Sequence, residues 1–389
     1  MLNFIALTFL VCISASLVTA NSDYPYNDNT YNGFMAAFMN SWNQNRECQI
    51  GPQTGVCMSR AECRREGGVS GSGCGMFGTC CIVQRTCGAR VNRKISYLEN
   101  LGSTSNRGQS CSYTILASSP KVCQVRLDFE TFTLAQPDPM TNMCKDDYVV
   151  FNGLQLCGEN SGQHVYLPLN YTDGARQVDF TFHLADRLSS GNSMPHARWR
   201  IKVTQLECPD RVATKFTNNG HLRNNHQKNT NDDSFWIAPP GCLQYYPQRD
   251  GEISSFNLGG DTGPYLANLD YAICFRREEN TRYIEFNTRT FQVAANDVLA
   301  GEFGADDQCQ RGEETQGSQE SADFLELPGG VLVSQALSYY TKYCGTLTST
   351  NLLRATSPGP LYVRFVSDGL VNDQISPEIG FRMQYNLRT

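Results

Sequence analysis

The chain has 389 residues, 40% of them hydrophobic, enough for two or three domains with sizeable cores. Only 18% are charged and the formal net charge is −6, which argues against bulk electrostatic binding to nucleic acid or to an anionic membrane surface. The 17 cysteines are far too many for an ordinary cytosolic enzyme and favour a disulfide-bonded extracellular protein, with 33 Gly and 16 Pro indicating many turns.

Residues 1–20 carry no Asp, Glu, Lys or Arg, run apolar from Phe4 to Val18 and end on Val18-Thr19-Ala20. This pattern predicts a secretory signal peptide cut after Ala20. No later stretch approaches the roughly 20 apolar residues that span a bilayer, so the mature chain is read as secreted, without a transmembrane segment. Cleavage removes Cys12 and leaves sixteen cysteines, an even number that eight disulfides would use up. No paired C-x-x-C cluster of the kind zinc needs is present.

Residues 21–47 are rich in Asn, Tyr and Ser and read as a flexible leader, with Phe34, Phe38 and Trp42 as its apolar points. Residues 48–86 form a cysteine-rich module holding Cys48, Cys57, Cys63, Cys74, Cys80 and Cys81. So short a segment cannot build a hydrophobic core, and three disulfides are expected to replace one. From residue 87 the texture changes. Val125 to Glu130, Trp199 to Thr204 and Phe381 to Tyr385 alternate apolar and polar, the period of a strand with one buried face. No long helical stripe appears, so the fold class is all-β, as antiparallel sandwiches. Residues 209–241 read as an Asn-rich linker between a first domain, 87–208, and a second, 242–389, each expected to fold as its own unit. One sequon, Asn170-Tyr171-Thr172, is a candidate glycan acceptor.

The two strand-rich blocks repeat one order. Cys111-Ser112-Tyr113-Thr114-Ile115 answers to Leu269-Asp270-Tyr271-Ala272-Ile273, Asp147-Tyr148 to Asp323-Phe324, and Cys157-Gly158 to Cys344-Gly345. Each block then has a strand ending at Phe182 or Phe365 and closes on one starting at Trp199 or Phe381. This order resembles the CUB domain, whose pattern also fits Cys144-Lys145-Asp146-Asp147-Tyr148, Phe365-Val366-Ser367-Asp368 and Gly380-Phe381-Arg382-Met383-Gln384-Tyr385. The resemblance implies two CUB-like antiparallel β-sandwiches of jelly-roll type after a small disulfide-rich module. That module resembles an arthropod clip domain, though its gap between the third and fourth cysteines is shorter. The whole arrangement resembles secreted insect CUB-domain-containing proteins, notably in Pro239 to Tyr246 and Leu269 to Arg276.

The clip resemblance implies the pairs Cys48–Cys80, Cys57–Cys74 and Cys63–Cys81, one of fifteen pairings open to six cysteines. The CUB resemblance implies Cys87–Cys111 and Cys144–Cys157. It leaves Cys123 and Cys208, on or beside alternating strands, to pair with each other if those strands are neighbours. In the second domain Leu269 stands where the family has a cysteine, and Cys242–Cys274 and Cys309–Cys344 are expected. Many CUB domains bind Ca²⁺ through a Glu and two Asp. By resemblance Asp147 and Asp186 take the two Asp places in the first domain, and Asp323 and Asp368 in the second, so calcium is the one cofactor implied. The Glu place holds no acid between Ser103 and Ser110, and only Asp270 in the second domain.

None of the five histidines, His164, His183, His196, His221 and His226, belongs to a recognisable catalytic signature. The reading is no enzyme. Phe235-Trp236 and Tyr245-Tyr246 could stack on sugars or pack between domains. The function expected is a secreted, non-catalytic protein-interaction protein, calcium-assisted, whose partner is another extracellular protein. The alternatives are a non-catalytic regulator or cofactor of an extracellular protease system, and a structural matrix or secretion-fluid protein. A masked hydrolase is the weakest alternative.

Overall fold

The computed structural model describes residues 46–74, 78–100, 108–172, 175–187, 194–208, 233–259, 263–295, 298–299, 301–309, 323–334, 337–356, 358–371 and 378–389. The expected signal peptide, most of the leader, and His221 and His226 lie outside them.

The cysteine-rich module is a four-stranded antiparallel sheet, in the order Glu47–Ile50, Gln53–Met58, Gly78–Ile82, Val69–Cys74. One short helix, Arg60–Arg65, crosses it. The Ser59 hydroxyl caps that helix by accepting from the Glu62 amide, and Cys63 is its buried residue. Disulfides Cys48–Cys80, Cys57–Cys74 and Cys63–Cys81 lace the sheet and helix together. They do not work alone. Val56, Met58, Cys63 and Cys81 share a small core with Ile95 and Tyr97, which belong to the first sandwich. The Tyr97 hydroxyl donates to the Thr54 carbonyl and accepts from its amide. The module therefore completes its core on its neighbour.

The first sandwich has two sheets. One runs Leu154–Leu156, Tyr148–Phe151, Ala175–Leu184, Gln109–Leu116, Arg90–Val91, with Asn170–Thr172 pairing Ala175–Leu184. The other runs His164–Pro168, Val122–Thr133, Arg198–Glu207, Ile95–Asn100, Gln84–Arg85. Period-two patterning explains the layers. Val125, Leu127 and Phe129 are buried, while Arg126 and Asp128 between them turn to the other face and pair with each other. Between the sheets Trp199 stacks flat on Phe182, 3.9 Å between centroids, and its Nε1 donates to the Tyr113 hydroxyl. Each such aromatic contributes about 1.5–3 kcal/mol by burial. The disulfides are Cys87–Cys111, Cys123–Cys208 and Cys144–Cys157. Cys123 lies on Val122–Thr133 and Cys208 just past its neighbour Arg198–Glu207.

The second sandwich repeats the plan. Cys242–Tyr246, Asp270–Phe275, Leu361–Val366, Phe324–Glu326 and Lys342–Thr346 form one layer. Asp250–Ser254, Gly380–Arg388, Tyr283–Val293, Leu352–Ala355, Gly330–Leu332 and Ser338–Tyr339 form the other. Lys342–Thr346 pairs with strands of both, so the ladder is continuous. Cys242–Cys274 and Cys309–Cys344 tie this half.

One detail departs from pure antiparallel pairing in both halves. Arg90–Val91 runs parallel to Gln109–Leu116, and Cys242–Tyr246 parallel to Asp270–Phe275. Parallel neighbours need a crossover rather than a hairpin. In each half the intervening strand, Ile95–Asn100 or Asp250–Ser254, supplies it by crossing to the opposite sheet.

The two sandwiches share one apolar cluster that extends from Val91 to Leu387. Of the linker, residues 233–241 are described, and they pack. Asp233 accepts from Lys94 Nζ at 2.9 Å and from the Glu207 amide, and Gln124 makes two hydrogen bonds with the main chain of Ala238.

Candidate functional site

Asp147 precedes the strand Tyr148–Phe151 and has no solvent exposure. Its carboxylate accepts from the Ala135 and Ala185 amides, at 3.2 and 3.0 Å. Its third donor is decisive. Arg187 Nη2 lies 2.5 Å away on a side chain only 8% exposed, and also donates to the Pro195 carbonyl. A guanidinium thus stands where the resemblance places a cation, and it already neutralises the Asp147 charge. Asp186, half-buried beside Arg187, adds no third acid. Among the described residues, the trio of metal-ligating groups close enough to share an ion is Cys48, Cys57 and Cys74, all in disulfides. Among the described residues, the acids of the first sandwich do not form a set that fits calcium.

The second sandwich is built differently. Asp323 is 1% exposed. Its Oδ2 accepts from the Tyr265 hydroxyl at 2.5 Å and its Oδ1 from the Asp368 amide at 2.7 Å. The Tyr265 oxygen in turn accepts from the Ala294 amide. Burial pushes the Asp323 carboxyl well above the usual carboxylate range. These two hydrogen bonds oppose the shift, and the negative charges of Asp368 and Glu378 reinforce it. The groups acting on Asp323 are thus a hydroxyl, an amide and two further acids. Asp368 Oδ1 accepts from the Leu370 amide. Asp270, the acid nearest the family's Glu place, is held by Arg364 through two hydrogen bonds of 2.7 Å, and that pairing keeps its carboxyl below the usual range.

One acid of the second sandwich meets the first sandwich rather than solvent. Glu378, 2% exposed, accepts from Asn142 Nδ2 at 2.7 Å, and the Ala267 amide donates to the Asn142 carbonyl. Asn142 sits in the left-handed region at φ 50°, a conformation Asn tolerates, so the loop before Asp147 can turn into its neighbour. Asn257, also at positive φ, accepts from the Glu159 amide, and its own amide donates to Asn160.

The aromatic pairs belong to the same joint. Tyr245 is 5% exposed and Tyr246 is half-buried. Phe235 and Trp236 keep about a third of their surface, but each has an arginine on one face. Arg276 from the second sandwich lies 4.6 Å from the Phe235 ring, and Arg126 from the first lies 5.1 Å from Trp236. The linker aromatics are thus gripped from both sides. Of the histidines, His164 is buried in the joint and His183 stacks on Tyr148. Asn170 begins the strand Asn170–Thr172.

Residues 239–388 match the family model of the animal CUB domain. No curated protein matches the chain. Among solved structures, the CUB1-EGF-CUB2 domains of rat MASP-1 align at 15% identity with a TM-score of 0.24, covering 78% of this chain and all of that one. The human MASP-1/3 domains align at 12% and 0.23, covering 76% of this chain and all of that one. A MASP-1 CUB2 domain described as bound to Ca²⁺ aligns at 18% and 0.23, over 30% of this chain and 98% of that one. The protein is all-β, two CUB-like sandwiches behind a disulfide-rich module, and the likeness of residues 239–388 to a CUB domain together with the many disulfides suits an extracellular compartment.

Proposed function

We propose that the chain is a secreted, non-catalytic interaction protein that binds another extracellular protein. The observation that carries this reading is the family match over 239–388 on a sandwich joined to two further disulfide-laced modules. Several of its acids are already engaged. Asp147, Asp270 and Glu378 all have partners within the chain, so recognition falls to other surfaces. The cysteine-rich module offers one. On its helix Glu62 and Glu66 turn inward to Arg93 and Arg85, while Arg60, Arg64 and Arg65 are exposed. That face suits an acidic protein surface. The test is affinity capture from native extracellular fluid with the mature chain, beside a variant carrying Arg60→Ser, Arg64→Ser and Arg65→Ser. A protein held by the mature chain and lost or weakened about tenfold by the variant is expected. Equal retention would remove the module from the interface, and no retained protein in either arm would favour the structural-matrix reading.

Calcium enters only through the second sandwich, where Asp323 and Asp368 would hold it with main-chain oxygens. It would order the loop that carries Asp368. Calorimetric titration should show one weak site that Asp368→Asn abolishes. Heat unchanged by that substitution, or absent from the wild-type chain, sinks the calcium assignment and leaves metal-free recognition standing. Asn170 would carry a glycan, removable by an amidase with a matching loss of mass.

A further inference from the structure

His164 begins the edge strand His164–Pro168 of the first sandwich and is 4% exposed. Its ring reaches out of its own domain. Nε2 lies 3.1 Å from the Tyr245 carbonyl and 3.2 Å from the Tyr245 amide, both on the first strand of the second sandwich. A neutral imidazole can satisfy that backbone, as donor in one tautomer or acceptor in the other. The main-chain oxygen of His164 accepts from Gln244 Nε2, which also bonds Gln163. Gln163 in turn donates to the main chain of Ser254 and Ser255. The ring is walled by Tyr166 and Tyr246, with centroids 5.7 and 4.8 Å away.

The charges around it are unfavourable to an imidazolium. Arg126, on the neighbouring strand, donates to the Tyr166 hydroxyl and lies over that ring, against which His164 also packs edge-on. Asp128, opposite His164 in the ladder, is engaged by Arg126 at 2.7 Å. From the second sandwich the ring meets Tyr245 and Tyr246, backed by Arg276 and Tyr385. No carboxylate among these groups is directed at the imidazole.

We propose that His164 is the proton sensor of the joint between the two sandwiches: neutral, it seals the joint, and on acidification the imidazolium opens it while each sandwich stays folded. Each half keeps disulfides of its own, three in the first and two in the second. Only the contacts between them are released, among them the Tyr245 pair, the Gln163–Gln244 bonds, the Asn142–Glu378 and Asn257–Glu159 bonds, and the grip of Arg126 and Arg276 on Trp236 and Phe235.

The sign follows from linkage. Burial first, then Arg126, pushes the His164 pKa well below its ordinary value of 6.5. In the open form the exposed ring titrates near that ordinary value, so the open form binds the proton and the closed form does not. Closure is therefore strongest above about pH 6.5 and weakens as the pH falls below it, by at most about tenfold for each pH unit.

The test uses small-angle scattering of the full mature chain between pH 7.5 and 5.0. The radius of gyration should rise on acidification in the wild-type chain and stay flat in His164→Gln, whose amide can still bond Tyr245 but does not titrate. A second variant, Trp236→Ala, loosens the same joint while leaving the titrating imidazole in place, and should open at a higher pH than the wild-type chain. Circular dichroism at pH 7.5 checks that both variants fold. A radius independent of pH in the wild-type chain overturns the proposal. So does the same rise in His164→Gln, which would put the sensor elsewhere, or an opening pH that Trp236→Ala leaves unmoved.

Discussion

Replacing Arg187 by methionine is expected to destabilise the first sandwich by about 3–5 kcal/mol, the range for removing one partner of a buried ion pair. The size follows from what is left behind. Asp147 is fully buried, and its two amide hydrogen bonds, from Ala135 and Ala185, do not cancel a full negative charge. The Pro195 carbonyl, which accepts from Arg187, loses its partner too. The second variant that separates charge from packing is the pair Arg187→Met with Asp147→Asn, which removes the stranded charge and should recover more than half of the loss. Denaturant unfolding of the two variants and the wild-type chain decides the matter. A loss below about 1 kcal/mol in the single variant would mean that the pair is solvated and that a cation could still compete for Asp147.

That pair also marks the limit of what was legible in the sequence. Strand layers were legible because they need only local information. Alternation at Val125 to Glu130 and Phe381 to Tyr385 places Leu127, Phe129, Phe381, Met383 and Tyr385 inside, and the structure buries them all. The repeated order of the two blocks was legible for the same reason, since each landmark is a short local pattern. Partners of charged groups are not local. Asp147 and Arg187 are 40 residues apart, and Asn142 and Glu378 are 236 apart. No periodicity links such positions. Arg187 itself was the available signal, a cation directly beside the candidate ligand Asp186. The aromatic pair Phe235-Trp236 was legible as a docking point, because bulky aromatics directly after an Asn-rich run have no local core to enter. Which side would receive them was not legible, and the answer is both.

The module teaches a related point about core size. Its six cysteines suggested a unit held by covalent bonds alone, yet it completes its core with Ile95 and Tyr97 of the next domain. Small domains gain stability from shared surface as well as from cross-links. The joint between the sandwiches follows the same rule on a larger scale, with apolar cluster, linker aromatics and buried polar pairs all crossing it. A partner therefore meets a composite surface whose geometry is set by that joint, and a sensor placed there reaches every face at once.

Among the disulfides, removing Cys123–Cys208 by a pair of alanines should cost more than removing Cys242–Cys274, which joins two strands of the second sandwich. Its cysteines are 85 residues apart, and those of Cys242–Cys274 are 32 apart. In the chain-entropy account the longer loop is worth about 4.6 kcal/mol and the shorter about 3.7 kcal/mol, a difference of roughly 0.9 kcal/mol. Position argues in the same direction. Cys123 and Cys208 clamp the end of the central ladder between Val122–Thr133 and Arg198–Glu207, next to the point where the linker leaves the first sandwich. Losing this bridge should fray the strand end and release the Cys208 amide from the Lys121 carbonyl. Thermal unfolding of the two double-alanine variants, with the other bridges intact, gives the comparison. If the order is reversed, with Cys242–Cys274 the more costly, then loop length is not what governs these bridges. Support of the parallel entry strand Cys242–Tyr246 against Asp270–Phe275 would then be the larger effect.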